Sequence, residues 1–211
     1  MTTVVLRQPT AALFDSWLQS WDEWGTADQD GAGVFFAQKF GWDLRSPQGF
    51  ARWVQLLNEM GMPGAVPPEG FAPQSTLWLE RWGEYLGAVS LRHSLLNDFL
   101  EKIGGHIGYG IRPSARGQGL AKLALAGALE QARALGLRRV LVTCNDSNIA
   151  SAKTIEACGG EVERIVPRAE IAEPFGVVED LRRYWIGLKP RRGRASRPEA
   201  PGAARAGCCR P

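Results

Sequence analysis

The chain has 211 residues, 45% of them hydrophobic, with 25 basic and 22 acidic side chains, which is the size and balance of one globular domain with a substantial core. No uninterrupted apolar run approaches the ~18–20 residues that span a bilayer, and Met1 to Gln8 lacks the basic start and long apolar stretch of a secretory leader, so a cytoplasmic protein is expected. Four cysteines, two of them adjacent in Cys208-Cys209, form no disulfide framework, and with only His93 and His106 beside them no metal site is expected.

In chain order, Val4–Arg7 reads as a first strand. Pro9 opens a helix with Leu13, Phe14, Trp17, Leu18 and Trp21 on one apolar stripe, and Ser46-Pro47 opens a second carrying Phe50, Trp53, Val54, Leu57 and Met60. Trp21 to Leu44 between them reads as irregular, and the proline-rich stretch Gly61 to Pro73 as a loop. Three extended stretches follow, 76–81, 86–92 and 106–112. Five of the eight tryptophans fall between Trp17 and Trp53; most suit a core, with Trp21, Trp24 or Trp42 as alternatives for a pocket wall.

The stretch Gly108 to Ala121 reads as a strand, a glycine turn and a helix start in succession. Leu123, Leu125, Leu129, Ala132 and Leu135 recur at mostly helical spacing and Gly136 follows as a cap, so the helix should begin near Gly117–Gly119. The first amides of such a helix lack intrahelical partners and its end carries about half a positive charge, which suits an anion. Arg116 adds a full charge there, and Gly117 and Gly119 let the backbone approach a phosphate. The dinucleotide fingerprint fails at Pro113, and no Gly-Lys-Ser/Thr ending exists for an NTPase loop. A plain glycine connection between strand and helix is the alternative.

Arg139–Cys144 reads as a buried strand, and Asn145-Asp146-Ser147-Asn148 as a capping turn before a helix from about Ile149 to Cys158. Residues 161–168 and 181–188 read as the closing strands. Residues 189–211 hold seven of the bases against the single acid Glu199, which leaves 18 basic and 21 acidic residues in 1–188. This basic tail, rich in Pro, Gly, Ala and Ser, is expected to be disordered, either a solubilising extension or a contact for RNA or an anionic surface.

Two segments carry a family resemblance. Arg116-x-x-Gly119-x-Ala121 resembles the pyrophosphate-binding signature of the GNAT superfamily of N-acetyltransferases, and Asn148-x-x-Ser151, with Ile155 and Gly159 following, resembles its pantetheine-contacting segment; for Asn148 and Ser151 simple helix capping is the alternative. Texture over 77–188 is similar to a group of uncharacterised predicted bacterial acetyltransferases. The resemblance implies an α/β (α+β) fold with a mixed, mainly antiparallel central sheet, splayed between strands four and five and flanked by helices. It implies one acetyltransferase domain over 1–188, with helices in 9–60 as an acceptor-side wall and a coenzyme-binding core over 77–188.

The implied co-substrate is acetyl-CoA, held by Ile111, Arg116, Gly117, Gln118, Gly119, Leu120, Ala121, Asn148 and Ser151, and the implied acceptor is an amine of a small molecule or a protein. A homodimer is left open. In the chemistry that follows, an ammonium must lose a proton before attack, and an N–H around Tyr109 to Ile111 would stabilise the oxyanion. Ile155 stands where many members carry the tyrosine that protonates the leaving sulfur, and isoleucine does no proton chemistry. Tyr109 and His106 are the first candidates for proton transfer, although their opposite strand parity keeps both from one pocket without a bulge. Tyr184 and His93 are the alternatives. A coenzyme-binding module without catalysis is the rival reading.

Overall fold

The computed structural model describes residues 3–189. They form a sheet of seven strands: β1 (Val5–Arg7), β2 (Gln74–Arg81), β3 (Glu84–Arg92), β4 (Ile107–Ile111), β5 (Arg139–Asn145), β6 (Gly160–Val166) and β7 (Leu181–Gly187). Their spatial order is β1-β2-β3-β4-β5-β7-β6, and every neighbouring pair is antiparallel except β4 and β5. That parallel pair touches at one position, Ile107 opposite Val142. Each strand keeps its full ladder on its other side, β4 with β3 and β5 with β7, so the two part beyond Ile107 without losing those hydrogen bonds.

Alternate residues of β2 feed two cores. Trp78 packs under α1 (Phe14–Trp24), α2 (Val34–Phe40) and α3 (Pro47–Glu59), in a cluster with Trp17, Phe36, Phe50 and Trp53. Its ring centroids lie 5.0–6.0 Å apart, the spacing of tilted aromatic pairs. Leu79 faces the other way, into a core built by Ala124, Leu125 and Ala128 of α4 (Leu120–Ala134) and Ile155 of α5 (Ile149–Ala157) against Val89, Val140 and Val142. Covered on both faces, β3 is buried over seven consecutive residues, Tyr85–Leu91.

Local chemistry fixes the element ends. Ser46 Oγ accepts the Gly49 N–H (3.1 Å) ahead of α3, whose first residue is Pro47. The helix expected from Pro9 instead begins as a short 3₁₀ turn, Ala11–Leu13, capped by Thr10, before α1. Two α-helices fall outside the expected elements: α2, inside the segment read as irregular, and α6 (Arg168–Phe175), where Arg168 was expected to end a strand. Seven residues between two left-handed glycines, Gly33 (φ +74°) and Gly41 (φ +65°), leave α2 too short for its periodicity to register. Residues 190–211, nearly all of the basic tail, lie outside the described residues.

Candidate active site

Where β4 and β5 part, a cleft of about 650 Å³ opens. Its walls include Gly108–Ile111 of β4, Thr143–Asn145 of β5, the turn around Arg116–Ala121, and Asn148 and Ser151 of α5. The Arg112 N–H donates to the Leu86 carbonyl (2.9 Å). By the alternation of an antiparallel pair, Gly108 and Gly110 therefore also face β3, and the N–H groups of Tyr109 and Ile111 point into the cleft.

One mouth of the cleft is a left-handed glycine turn ahead of a helix N-terminus. After a 3₁₀ turn at Pro113–Ala115 the backbone passes through Gly117 and Gly119, both at φ +76°, and α4 starts at Leu120. The bond that closes its first turn runs from Leu123 N–H to Gly119 O (3.2 Å), so the amides before Leu123 precede the helical ladder. A Cβ at Gly117 or Gly119 would meet open space, so the glycines serve the left-handed backbone rather than relieve crowding. Arg116 is exposed at this mouth, its guanidinium 4.7 Å over the Trp24 ring and its Nε donating to the Ile111 carbonyl (3.2 Å).

Glu23 ties the end of α1 to the same turn, accepting from Arg112 Nε (2.7 Å) and from the Ser114 N–H (2.9 Å). Burial pulls this carboxyl's pKa upward, but the hydrogen bonds from Arg112 and Ser114 outweigh it and hold the group at about 2.

Midway along the cleft, the Tyr109 hydroxyl lies 2.8 Å from Ser151 Oγ. Burial pushes the phenol up to about 12 against the opposing Ser151 hydrogen bond, so it keeps its proton at neutral pH. Asn148 caps α5, its Oδ1 accepting from the Ser151 N–H (3.0 Å), and it also lines the cleft, so capping and cleft lining fall on one residue. Ile155 is fully buried in the core between α5 and the sheet.

The other proton-transfer candidates sit elsewhere. His106 lies just before β4, 7% exposed, and does not line the cleft; its Nδ1 accepts the Leu141 N–H (2.9 Å) where β4 and β5 still touch. Burial, aided by the Arg92 charge, holds this imidazole down at about 4. Tyr184 is fully buried and donates to Glu156 Oε1 (3.1 Å). His93 Nε2 pairs with Ser75 Oγ (2.9 Å) at the far end of β3. Of the four, the fold brings Tyr109 alone into the cleft.

A second cavity of about 580 Å³, walled by segments of 21–38, 70–74 and 97–100, joins the first at Asp28, Asp30, Arg92 and Phe99. Trp21 lines this cavity and Trp24 the cleft, whereas Trp42 stacks on Phe40 (5.0 Å) and lines neither. Asp30 and Gln74 are missing from the sequence-derived set: no motif marks them, and the only local signal is the short Asp28-Gln29-Asp30-Gly31 run. Among the described residues no group of three or more His, Cys, Asp or Glu side chains is placed to hold a metal ion.

A two-core sheet split between a parallel pair, with a left-handed glycine turn and a helix N-terminus at the split, defines a mixed α/β architecture with an open cleft between β4 and β5. Residues 3–161 match the family model of the acetyltransferase (GNAT) domain, and the chain belongs to that family. Among solved structures it is similar to YncA from Salmonella typhimurium, a putative acetyltransferase with its cofactor acetyl-CoA (17% identity, 98% of this chain and 100% of that one, TM-score 0.56). It is also similar to RimL, the ribosomal L7/L12 α-N-protein acetyltransferase in complex with coenzyme A (18%, 89% and 96%, 0.60), and to MccE, the microcin C7 self-immunity acetyltransferase in complex with acetyl-CoA and AMP (16%, 88% and 92%, 0.58). At these identities the likeness establishes the fold. No curated protein matches the sequence significantly.

Proposed function

We propose that this chain moves the acetyl group of acetyl-CoA to a primary amine by direct attack. The observation that carries the reading is the open split between β4 and β5, with an anion-suited turn at one mouth and outward amides along its wall. The backbone amides from Gly117 to Ala121, with Arg116, would grip the diphosphate, and Ile111, Asn148 and Ser151 would flank the pantetheine arm. Family relatives with the same fold are described with acetyl-CoA or CoA, which supports the same co-substrate here.

Acetyl-CoA supplies an activated acyl carbon with a thiolate leaving group whose thiol has a pKa of about 8.5. The chain's own contribution is orientation and charge. The Tyr109 or Ile111 N–H would donate to the developing oxyanion. The Tyr109–Ser151 hydroxyl pair, with the phenol held protonated, would return a proton to the sulfur. In this reading His106, neutral and accepting from the Leu141 N–H, holds the β4–β5 junction and takes no part in proton transfer.

Thiol release measured across an amine library, with acetyl-CoA binding followed by calorimetry, tests the proposal. Turnover with an amine supports it. Tight coenzyme binding with no turnover favours the binding module, a reading kept in view by Ile155, which is sealed in the core and offers no acid at the sulfur.

A further inference from the structure

The second cavity is lined by a carboxylate that no hydrogen bond or ion pair holds among the described residues. Asp30 makes no hydrogen bond or ion pair among the described residues, although it stands where the cavity meets the coenzyme cleft. Arg92 acts on it through space, but Arg92 Nη1 is committed to the carbonyls of Gly104 (2.9 Å) and Gly105 (3.3 Å). The residue is exposed and lines both the cavity and the cleft, with protein close enough around its carboxylate to desolvate it. This crowding raises its pKa, Arg92 lowers it, and Asp28 raises it again.

The loop that carries Asp30 is clamped. The Asp30 carbonyl and Gly31 lie against β4 so closely that a Cβ on Gly110 would stand 2.8 Å from Asp30 O, and one on Gly31 2.3 Å from Gly108 O. The Asp30 backbone is therefore held against β4 at Gly110.

The rest of the cavity describes a ligand. Phe35 and Phe99 leave 40% and 42% of their surface exposed, and Phe35 stacks on Phe71 (5.7 Å), so three phenyl rings offer an apolar wall. Gln74, 3% exposed, lines the same cavity with its Nε2 unpartnered among the described residues, a buried donor without an acceptor. Its natural partner is an uncharged carbonyl oxygen, because Asp28 and Asp30 disfavour an anion. A volume of about 580 Å³ suits a small molecule.

We propose that this cavity receives a compact aromatic primary amine bearing an amide-like carbonyl, with Asp30 taking the proton its ammonium sheds and Gln74 donating to the carbonyl. The inference rests on the acyl-transfer reading. One N–H proton passes to the Asp30 carboxylate and leaves a free lone pair. Nitrogen then bonds to the acetyl carbon, the carbon–sulfur bond breaks, and the second nitrogen proton reaches the thiolate through the Tyr109–Ser151 hydroxyls. The products are the acetamide and the free thiol, and Asp30 releases its proton to solvent.

Phenethylamine and phenylalaninamide, with a short peptide beginning in Phe, test this. At neutral pH phenethylamine is almost wholly protonated, whereas an α-amine with a pKa of roughly 8 supplies far more free base. Asp30→Asn is expected to lower kcat/KM about 100-fold with phenethylamine and only about tenfold with phenylalaninamide, with acetyl-CoA affinity unchanged. Gln74→Leu should raise KM about tenfold for phenylalaninamide and leave phenethylamine unaffected. Equal losses with both amines, or none, would overturn the Asp30 assignment. Peptide turnover better than either small amine would overturn the acceptor class. A wild-type chain that neither binds acetyl-CoA nor turns over any amine would instead sink the acyl-transfer reading itself.

Discussion

Gly31 and Gly108 lie in backbone contact: a methyl group on Gly31 would stand 2.3 Å from the Gly108 carbonyl oxygen, and Gly31 itself sits at φ +78°. A glycine on the loop after α1 and another on β4 let that loop press onto the strand that lines the cleft between β4 and β5. Gly31→Ala must move the loop or the strand, and it also pays the left-handed backbone cost of roughly 1–3 kcal/mol. The expected outcome is a thermal midpoint lowered by several degrees and turnover lost by more than tenfold, with acetyl-CoA affinity nearly intact because the phosphate turn is untouched. Calorimetric binding and a melt on the same sample check both halves.

Arg116 and Gly119 answer for the other mouth. Arg116→Ala removes a full charge and the Ile111 contact, and it uncovers Trp24, whose ring lies under the guanidinium at 4.7 Å. Gly119→Glu places a carboxylate at φ +76° beside the proposed diphosphate. Both variants should bind acetyl-CoA at least tenfold more weakly by calorimetry, and Arg116→Ala should also alter tryptophan fluorescence. Unchanged affinity in both would overturn the diphosphate assignment.

Much of this architecture is local and therefore legible in the chain. The run Gly108–Ala121 joins strand, turn and helix within fourteen residues, so glycine placement and helical spacing alone locate it. Asn148 and Ser151 follow a β-branched strand in the same local way. What escapes is made by distance. Asp30 reaches the cleft because its loop packs on a strand about eighty residues later, and no local pattern encodes that meeting. The place of His106 follows from a related cause: Gly105, at φ +60°, turns the chain just before β4, and the imidazole ends against Leu141 rather than on the cleft wall that Tyr109 reaches.

Tyr109 and Ser151 are expected to behave as one unit. A thiolate whose parent thiol has a pKa of about 8.5 can leave without help, so Tyr109→Phe should cost only about tenfold in kcat. Ser151→Ala should cost about as much, and the double variant little more than either, since each hydroxyl works through the other at 2.8 Å. Because the phenol is held at about 12, the alkaline limb of the pH–rate profile should be the same in wild type and Tyr109→Phe. A limb that vanishes in the variant would show that Tyr109 titrates in the working range.

His106 should make itself felt in stability rather than in rate. Its folded pKa is held at about 4, below the unfolded value of 6.5, so between these values the unfolded chain binds more protons. The stabilisation is fully present above pH 6.5, is lost as pH falls toward 4, and amounts to about 3 kcal/mol. His93, also shifted down by burial, adds a contribution of the same sign, whereas Glu23 keeps its full stabilisation down to pH 4.5 and loses it only between 4.5 and 2. His106→Asn keeps an acceptor for the Leu141 N–H and removes the titration. Urea unfolding at a series of pH values should show the wild type losing stability on mild acidification more steeply than the variant. Parallel curves would mean that the imidazole titrates normally and that the β4–β5 junction does not depend on its neutral form.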